Sequence, residues 1–276
     1  MAHKRGDYGG RQRDFASERE RLGQLAAALD PDTQQRLARL GAGPGWRCLE
    51  IGAAEGSLAR WLARRTAPGG RVVACDIDLR FLEARADPAI ELRELDIRSG
   101  SLERGAFDLA CCRTLLLHLE DPVAALARMR DSLAPGGWLY AEEPDLCLHE
   151  ALDPDHPDAE VFARFHRTLY AGVRARRSFD TRFGRTLPGC FEALGLREVD
   201  CELRAKIQRG DGPAARNQIA ILPLLAEPLL AAGELARDEL ARVQALYRDP
   251  GFQFVSGVQV AVWGRGPGGG SGGRPR

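Results

Sequence analysis

Cys48-Leu-Glu-Ile-Gly-Ala-Ala-Glu-Gly-Ser57, read with Arg71-Val-Val-Ala-Cys-Asp76, decides the fold. The first stretch is an apolar run that enters a small-residue turn and then opens a helical pattern, Leu58-Ala-Arg-Trp-Leu-Ala63. The second is another apolar run, closed by an acid. Such runs, bounded by turns and followed by helical periodicity, predict buried parallel strands with crossover helices. A tight turn at a helix start lets a ligand approach the backbone, and a carboxylate ending the next strand can take two ribose hydroxyls. The pair therefore points to a nucleoside-bearing ligand.

The pattern continues outward. Strands are expected at 46–51, 71–76, 90–95, 107–112 and 138–142, the last after the turn Pro135-Gly-Gly137. Helices between them imply right-handed crossovers and a doubly wound α/β sheet covered on both faces. Upstream, a helix begins after Asp14 and ends near Asp30-Pro31, with a second short helix through Leu37 and Leu40. Beyond Glu143 the order changes. Residues 144–158 read as a Pro/Asp/His loop, and 161–175 as a helix with an aromatic face of Phe162, Phe165, Leu169 and Tyr170. A sixth strand is expected over 197–208, two helices over 213–247 and a last strand over 252–263. The organisation expected is 1–45 as N-terminal helices and cap, 46–143 as the ligand-binding core and 144–180 as a substrate lid. Residues 181–264 complete the sheet with a helical insertion at 213–247, and 265–276 form a disordered Gly/Pro/Arg tail.

These motifs resemble the class I S-adenosylmethionine (SAM)-dependent methyltransferases, closely from Trp46 to Glu143 and more loosely from Phe15 to Gly264. The first family motif, acid-x-Gly-x-Gly-x-Gly, falls here on Glu50, Gly52, Ala54 and Gly56, with Ala54 departing from it. The resemblance implies a mostly parallel seven-stranded Rossmann-like sheet with helical cap insertions, and SAM as cofactor. It places Gly52 against the methionine and ribose portions, Asp76 on the ribose hydroxyls and Ile77 on adenine. Asp96 would accept from the adenine amino group, with Ile97 offering its N–H. Glu50 would order the turn or reach the amino end indirectly, and Cys112 and Arg113 would line the cofactor edge. For Asp78, capping the next helix is expected. His118 resembles a histidine common in small-molecule members, and Glu143 or Glu142 could orient the acceptor or take its proton. Tyr8 or Phe15 could contact the cofactor. A dinucleotide fingerprint starting at Gly52 would need glycines where Ala54 and Ser57 stand, so an oxidoreductase fits less well.

Composition narrows the partners. The 276 residues carry 39 basic and 39 acidic side chains, so nothing suggests a polyanion or an anionic membrane surface as the principal partner, and neither nucleic acid nor membrane is expected. Lysine occurs only at Lys4 and Lys206, an arginine bias that goes with a high-GC bacterial gene. The seven cysteines show no Cys-x-x-Cys spacing; Cys48, Cys75 and Cys111 fall inside expected strands and read as small buried apolar residues, and no ligand set has metal spacing. Met1 to Tyr8 lacks an apolar signal core, and no run reaches membrane-spanning length, so a cytoplasmic protein is expected. The function expected is methyl transfer to a small molecule of bacterial specialised metabolism, on oxygen rather than nitrogen or carbon. The alternative is a SAM-binding non-methylating cyclase or regulatory protein on the same fold. A homo-oligomer is compatible with either.

Overall fold

The computed structural model describes residues 14–84, 86–176 and 179–268. In chain order the elements are α1 (Phe15–Arg39), β1 (Arg47–Ile51), α2 (Ser57–Thr66), β2 (Arg71–Asp76), α3 (Arg80–Glu83), β3 (Ile90–Glu94) and β4 (Phe107–Arg113). After a 3-10 turn at Leu116–His118 come α4 (Pro122–Ser132), β5 (Leu133–Ala151), α5 (Ala159–Ala175) and α6 (Leu187–Ala193). The chain closes with β6 (Arg197–Arg204), β7 (Ile207–Arg209), α7 (Pro213–Ala231), α8 (Arg237–Arg248) and β8 (Gln253–Arg265). Strand order is β3-β2-β1-β4-β5-β8-β6, with β7 pairing antiparallel to β8. The β1–β2, β1–β4, β2–β3 and β4–β5 ladders are parallel. The described sheet thus has eight strands where seven are expected, because the sixth run divides at Ala205-Lys206.

Two compact units emerge. Of the described residues, the first gathers 14–29, 144–185 and 203–260; the second gathers 30–143, 186–202 and 261–268. The second holds the parallel core. Cys48, Leu49, Val73, Ala74, Leu109 and Cys111 are sealed from solvent because their strands are covered on both faces. α2 lays Leu58, Ala59, Leu62, Ala63 and Thr66 on that core at helical spacing. Burying a leucine such as Leu62 fully contributes about 1.5–3 kcal/mol. Asp121 caps α4 by accepting the Ala124 N–H at 2.9 Å, with Pro122 in the first turn. The expected Pro135-Gly-Gly137 turn is instead an irregularity inside β5. There the register with β4 shifts between Phe107 and Leu109, and a Cβ on Gly137 would lie 2.8 Å from the Phe107 carbonyl.

In the first unit, which holds most of the 144–180 segment expected as a lid, α5 packs on α7 and α8. That segment shares a core with 203–260. Phe162, Phe165, Leu169 and Tyr170 are buried in that core, and a Cβ on Gly172 would strike Leu229 at 2.4 Å. His149 stacks on His166 with centroids 4.5 Å apart, and His166 Nε2 lies 2.9 Å from the Tyr247 hydroxyl. Arg174 and Arg176 pair with Asp180 and Glu234 at the surface. Tyr8, which could contact the cofactor, lies outside the described residues with the rest of 1–13, as does the tail 269–276. All seven cysteines are free, and Cys48, Cys75, Cys111 and Cys112 are buried. Among the described residues no helix is long and apolar enough to cross a membrane.

Candidate functional site

The turn between β1 and α2 is built on three left-handed residues, Gly52 (φ 72°), Ala54 (φ 52°) and Gly56 (φ 74°). Its first two N–H groups, from Gly52 and Ala53, donate to the Cys75 carbonyl at 2.8 and 3.0 Å. The Ala54 N–H donates to Asp76 Oδ2 at 2.9 Å. A carboxylate at the end of β2 therefore fixes the turn after β1. A Cβ on Gly52 would press on the Leu115 side chain at 3.2 Å, and one on Gly56 would force the Leu82 methyl at 2.7 Å to shift, so both positions favour glycine chiefly through their left-handed φ.

Asp76 Oδ1 accepts the Asp78 N–H at 3.0 Å. Burial raises the pKa of Asp76, while the N–H groups of Ala54, Asp78 and Ile77 act against that rise. A carboxylate has about four lone-pair sites, so with these three N–H groups served acceptor capacity remains for a ligand hydroxyl. Ile77 follows, half-buried. Asp78 accepts the N–H of Arg80, the first residue of α3, at 3.2 Å and its guanidinium at 2.9 and 2.7 Å; the N-cap position itself is Leu79, so Asp78 sits one residue before the cap expected of it. Asp96 lies just past β3 beside buried Ile97. Its carboxylate accepts the Arg98 N–H at 2.9 Å and both sides of the Arg98 guanidinium, at 2.9 and 2.7 Å. An adenine amino group at Asp96 must share or displace this half-exposed ion pair, which contributes little on its own.

The ends of β4 and β5 lie beside the turn in the sheet. Cys112 is fully buried, and burial pushes its thiol far up, which leaves it neutral packing. Arg113 donates to Asp30 Oδ1 at 2.8 Å and to Thr33 Oγ1 at 3.1 Å. Asp30 also accepts from Ser57 Oγ at 3.2 Å, and Thr33 donates to Glu142 Oε2 at 2.7 Å. Tyr140 reaches the same Glu142 oxygen at 2.7 Å, and Arg36 Nη1 lies 3.4 Å from the other. The second half of α1 is thereby bonded to the start of α2 and to the ends of β4 and β5. None of Asp30, Thr33 or Arg36 is expected from the sequence, where Asp30-Pro31 reads as a helix end.

Glu143, weighed as a proton acceptor, has another task here. Its two oxygens accept the N–H groups of Leu115 and Leu116 at 2.8 Å and of Leu117 at 3.3 Å, anchoring the 3-10 turn that ends at His118. Burial raises its pKa to about 7 against those three bonds. Thr114, where the turn begins, holds φ 53°, rare for a β-branched residue and a mark of a chain forced to bend at this edge. Glu50, at the other end of the cluster, is buried, and its Oε2 has no hydrogen-bond partner. The close-approach turn, the spare acceptor capacity of Asp76 and the unsatisfied Glu50 oxygen fit a nucleoside-bearing, positively charged cofactor such as SAM.

Residues 49–139 match the family described as a methyltransferase domain. Among curated proteins, the chain is 37% identical over 136 residues to an uncharacterized 37.1 kDa protein of a Streptomyces fradiae transposon, covering 48% of this chain and 39% of that one. It is 29% identical over 191 residues to methyltransferase str3 of Strobilurus tenacellus, covering 67% and 66%. It is 31% identical over 120 residues to a ubiquinone biosynthesis O-methyltransferase of Xanthomonas campestris, covering 41% and 49%. The chain thus spans between 39% and 66% of these relatives. Two solved structures share the fold. The YcgJ protein of Bacillus subtilis is 15% identical, with TM-score 0.54, 85% of this chain and 98% of that one. A Haemonchus contortus phosphoethanolamine N-methyltransferase, solved with S-adenosylhomocysteine, is 15% identical, with TM-score 0.52, covering 85% and 52%.

Proposed function

We propose, from the premise that the chain carries a class I SAM-dependent methyltransferase domain, that it transfers a methyl group to an oxygen of a small organic acceptor. The observation that carries this reading is the Ala54–Asp76 bond, which ties a left-handed turn to the carboxylate at the next strand end. Bound SAM, held by the Gly52–Gly56 turn and Asp76, would supply an electrophilic methyl on sulfur, its C–S electron pair staying with sulfur and the acceptor's proton leaving as the C–O bond forms. The protein's share is placement and exclusion of water. Gly52 and Ala54 open their backbone to the ligand, and Asp76 offers its remaining acceptor capacity to the ribose. Glu143 fixes the 3-10 turn and thereby the position of His118, the single imidazole among the described residues of its unit. His118 is the group we assign to the acceptor's proton. Oxygen as the acceptor atom is supported by the relative named an O-methyltransferase.

The test is binding, then turnover. S-adenosylhomocysteine should raise the melting temperature by mass action. Asp76→Ala should weaken that binding by about 1–3 kcal/mol, and Asp76→Asn, which keeps the shape, should weaken it less. His118→Gln should leave S-adenosylhomocysteine binding intact and lower turnover of a phenolic or alcoholic acceptor panel. Binding of NADH without any response to S-adenosylhomocysteine would reject the reading.

A further inference from the structure

β6 ends the strand order of the sheet, and β7 carries the chain on along β8 after Ala205-Lys206. From Cys201 to Arg209 exposure alternates residue by residue. Glu202, Arg204, Lys206 and Gln208 are half-buried. Glu202 meets Arg36 and Arg39 at 3.0 and 2.7 Å, and Lys206 Nζ reaches the Ala28 carbonyl at 3.3 Å, so α1 covers this charged face. Cys201, Leu203, Ala205 and Ile207 face solvent. Leu203 and Ile207, at 63% and 61%, are the most exposed large apolar side chains described. A strand that is charged where it is covered and apolar where it is wet reverses the usual alternation.

The backbone of this edge is open as well. The Gly210 N–H donates to the Phe252 carbonyl at 2.9 Å, and Gln208 lies opposite Phe254. In an antiparallel ladder, even-numbered residues here therefore turn their N–H and C=O groups toward β8 and odd-numbered ones away from it. The Cys201 N–H accordingly meets the neighbouring Asp200 Oδ1, at 2.8 Å, and not a strand. Leu203, Ala205 and Ile207 thus present both the apolar side chains and the outward polar backbone, and no proline interrupts residues 197–209. Such an edge accepts a further strand.

We propose that the strand is β6 of a second copy of this chain, laid antiparallel about a two-fold axis at Leu203. A two-fold axis normal to the sheet keeps every side chain on its own face, so only residues of the same parity meet. Charge then selects the register. Centred on Glu202 or Arg204, that charge would face its own copy; centred on Cys201, Asp200 would face Glu202; centred on Ala205, Arg204 would face Lys206. Like charges directly opposite are destabilising. Centred on Leu203, Glu202 faces Arg204 and Asp200 faces Lys206, while Leu203 covers Leu203 and Val199 covers Ile207. Like charges then meet only at the outermost pair, Arg197 with Arg209. The proposal is independent of the methyl-transfer reading.

Light scattering on the full chain reads the mass. Wild type should have the mass of two chains, and Leu203→Lys the mass of one, with its circular dichroism spectrum kept. Lys206→Asp, which sets two acids face to face, should raise the dissociation constant several-fold, and adding Asp200→Lys should restore it. A merely structural loss at Lys206 would not be rescued in that way. Disulfides read the register, since directly opposite Cα atoms about 5.5 Å apart lie within bridging distance. In a Cys201→Ser background, Leu203→Cys should oxidise to a dimer joined 203 to 203, and Ala205→Cys should not. With Cys201 kept, Ala205→Cys should join 205 to 201. A wild type that is monomeric at every concentration overturns the proposal, as does a dimer indifferent to Leu203→Lys. Cross-links in another register, or a mass that keeps growing with concentration, overturn it too. Should Leu203→Lys fail to fold, the exchange of charge between 200 and 206 decides.

Discussion

Ala54 holds a left-handed φ of 52° between two glycines that do the same. For a residue with a Cβ that conformation costs roughly 1–2 kcal/mol, which its N–H bond to Asp76 must offset. Ala54→Gly removes the Cβ penalty and adds some unfolded-state entropy, so a net gain of about 0.5–1 kcal/mol is expected. Thermal melts with and without S-adenosylhomocysteine check it: stability should rise, and cofactor binding should hold or tighten slightly. A loss of stability would show that the turn is not strained at this residue. The same position shows what a sequence conveys at this scale. Gly52, Ala54, Gly56 and Asp76 were legible because spacing fixes a turn and strand alternation fixes an edge. The tasks of Asp96 and Glu143 were not, because each depends on a partner: Arg98 two residues away, and a run of N–H groups 26 to 28 residues before Glu143.

At the scale of elements, α1 runs through Pro31 where the sequence predicts a break. A proline inside a helix removes one hydrogen bond and costs about 3 kcal/mol, so local rules alone favour stopping. Bonds made on both sides of it offset that cost. Lys206 Nζ donates to the Ala28 carbonyl in the preceding turn, while Asp30, Thr33 and Arg36 engage Ser57, Arg113, Glu142 and Glu202 after it. No window of the local sequence contains those partners. The strands, by contrast, fall within a residue or two of expectation at β1, β2 and β4, because a fully buried strand advertises itself as an apolar run. Asp30→Ala should therefore act on a whole helix. It strands the half-buried Arg113 and frees Ser57, and urea unfolding should show a loss of about 1–3 kcal/mol. Hydrogen exchange should quicken over residues 30–39. An unchanged exchange rate there would mean that α1 is held by its apolar face alone.

At the scale of the molecule, the two units carry buried titrating groups of opposite sign. In the first, burial pulls His166 down to about 4 and His149 well below the usual histidine range, with His166 adding to the effect on His149. Their unfolded forms take a proton near 6.5, so between 6.5 and 4 the unfolded state binds more protons and stability falls as pH falls. For His166 the full loss is about 3 kcal/mol. In the second unit, burial raises Glu50 to about 8 and Glu143 to about 7. The stability those carboxyls contribute is fully present below about 4.5 and is lost as pH rises through 7 to 8, the reverse slope. Carboxylates lowered by arginine neighbours, Glu91, Glu103 and Glu202, change charge below 4.5 and stay out of this window. Lowering the pH from 7.5 to 5.5 should thus loosen α5 and α8 while β1, β4 and the 115–117 turn keep or gain protection. Hydrogen exchange by mass spectrometry, corrected for the intrinsic pH dependence, reads both units in one sample. His166→Phe should flatten the slope at α5 and leave that of β1 unchanged. Parallel loss of protection in both units would sink the argument, since it would mean that neither the histidine stack nor the buried carboxyls govern the acid response.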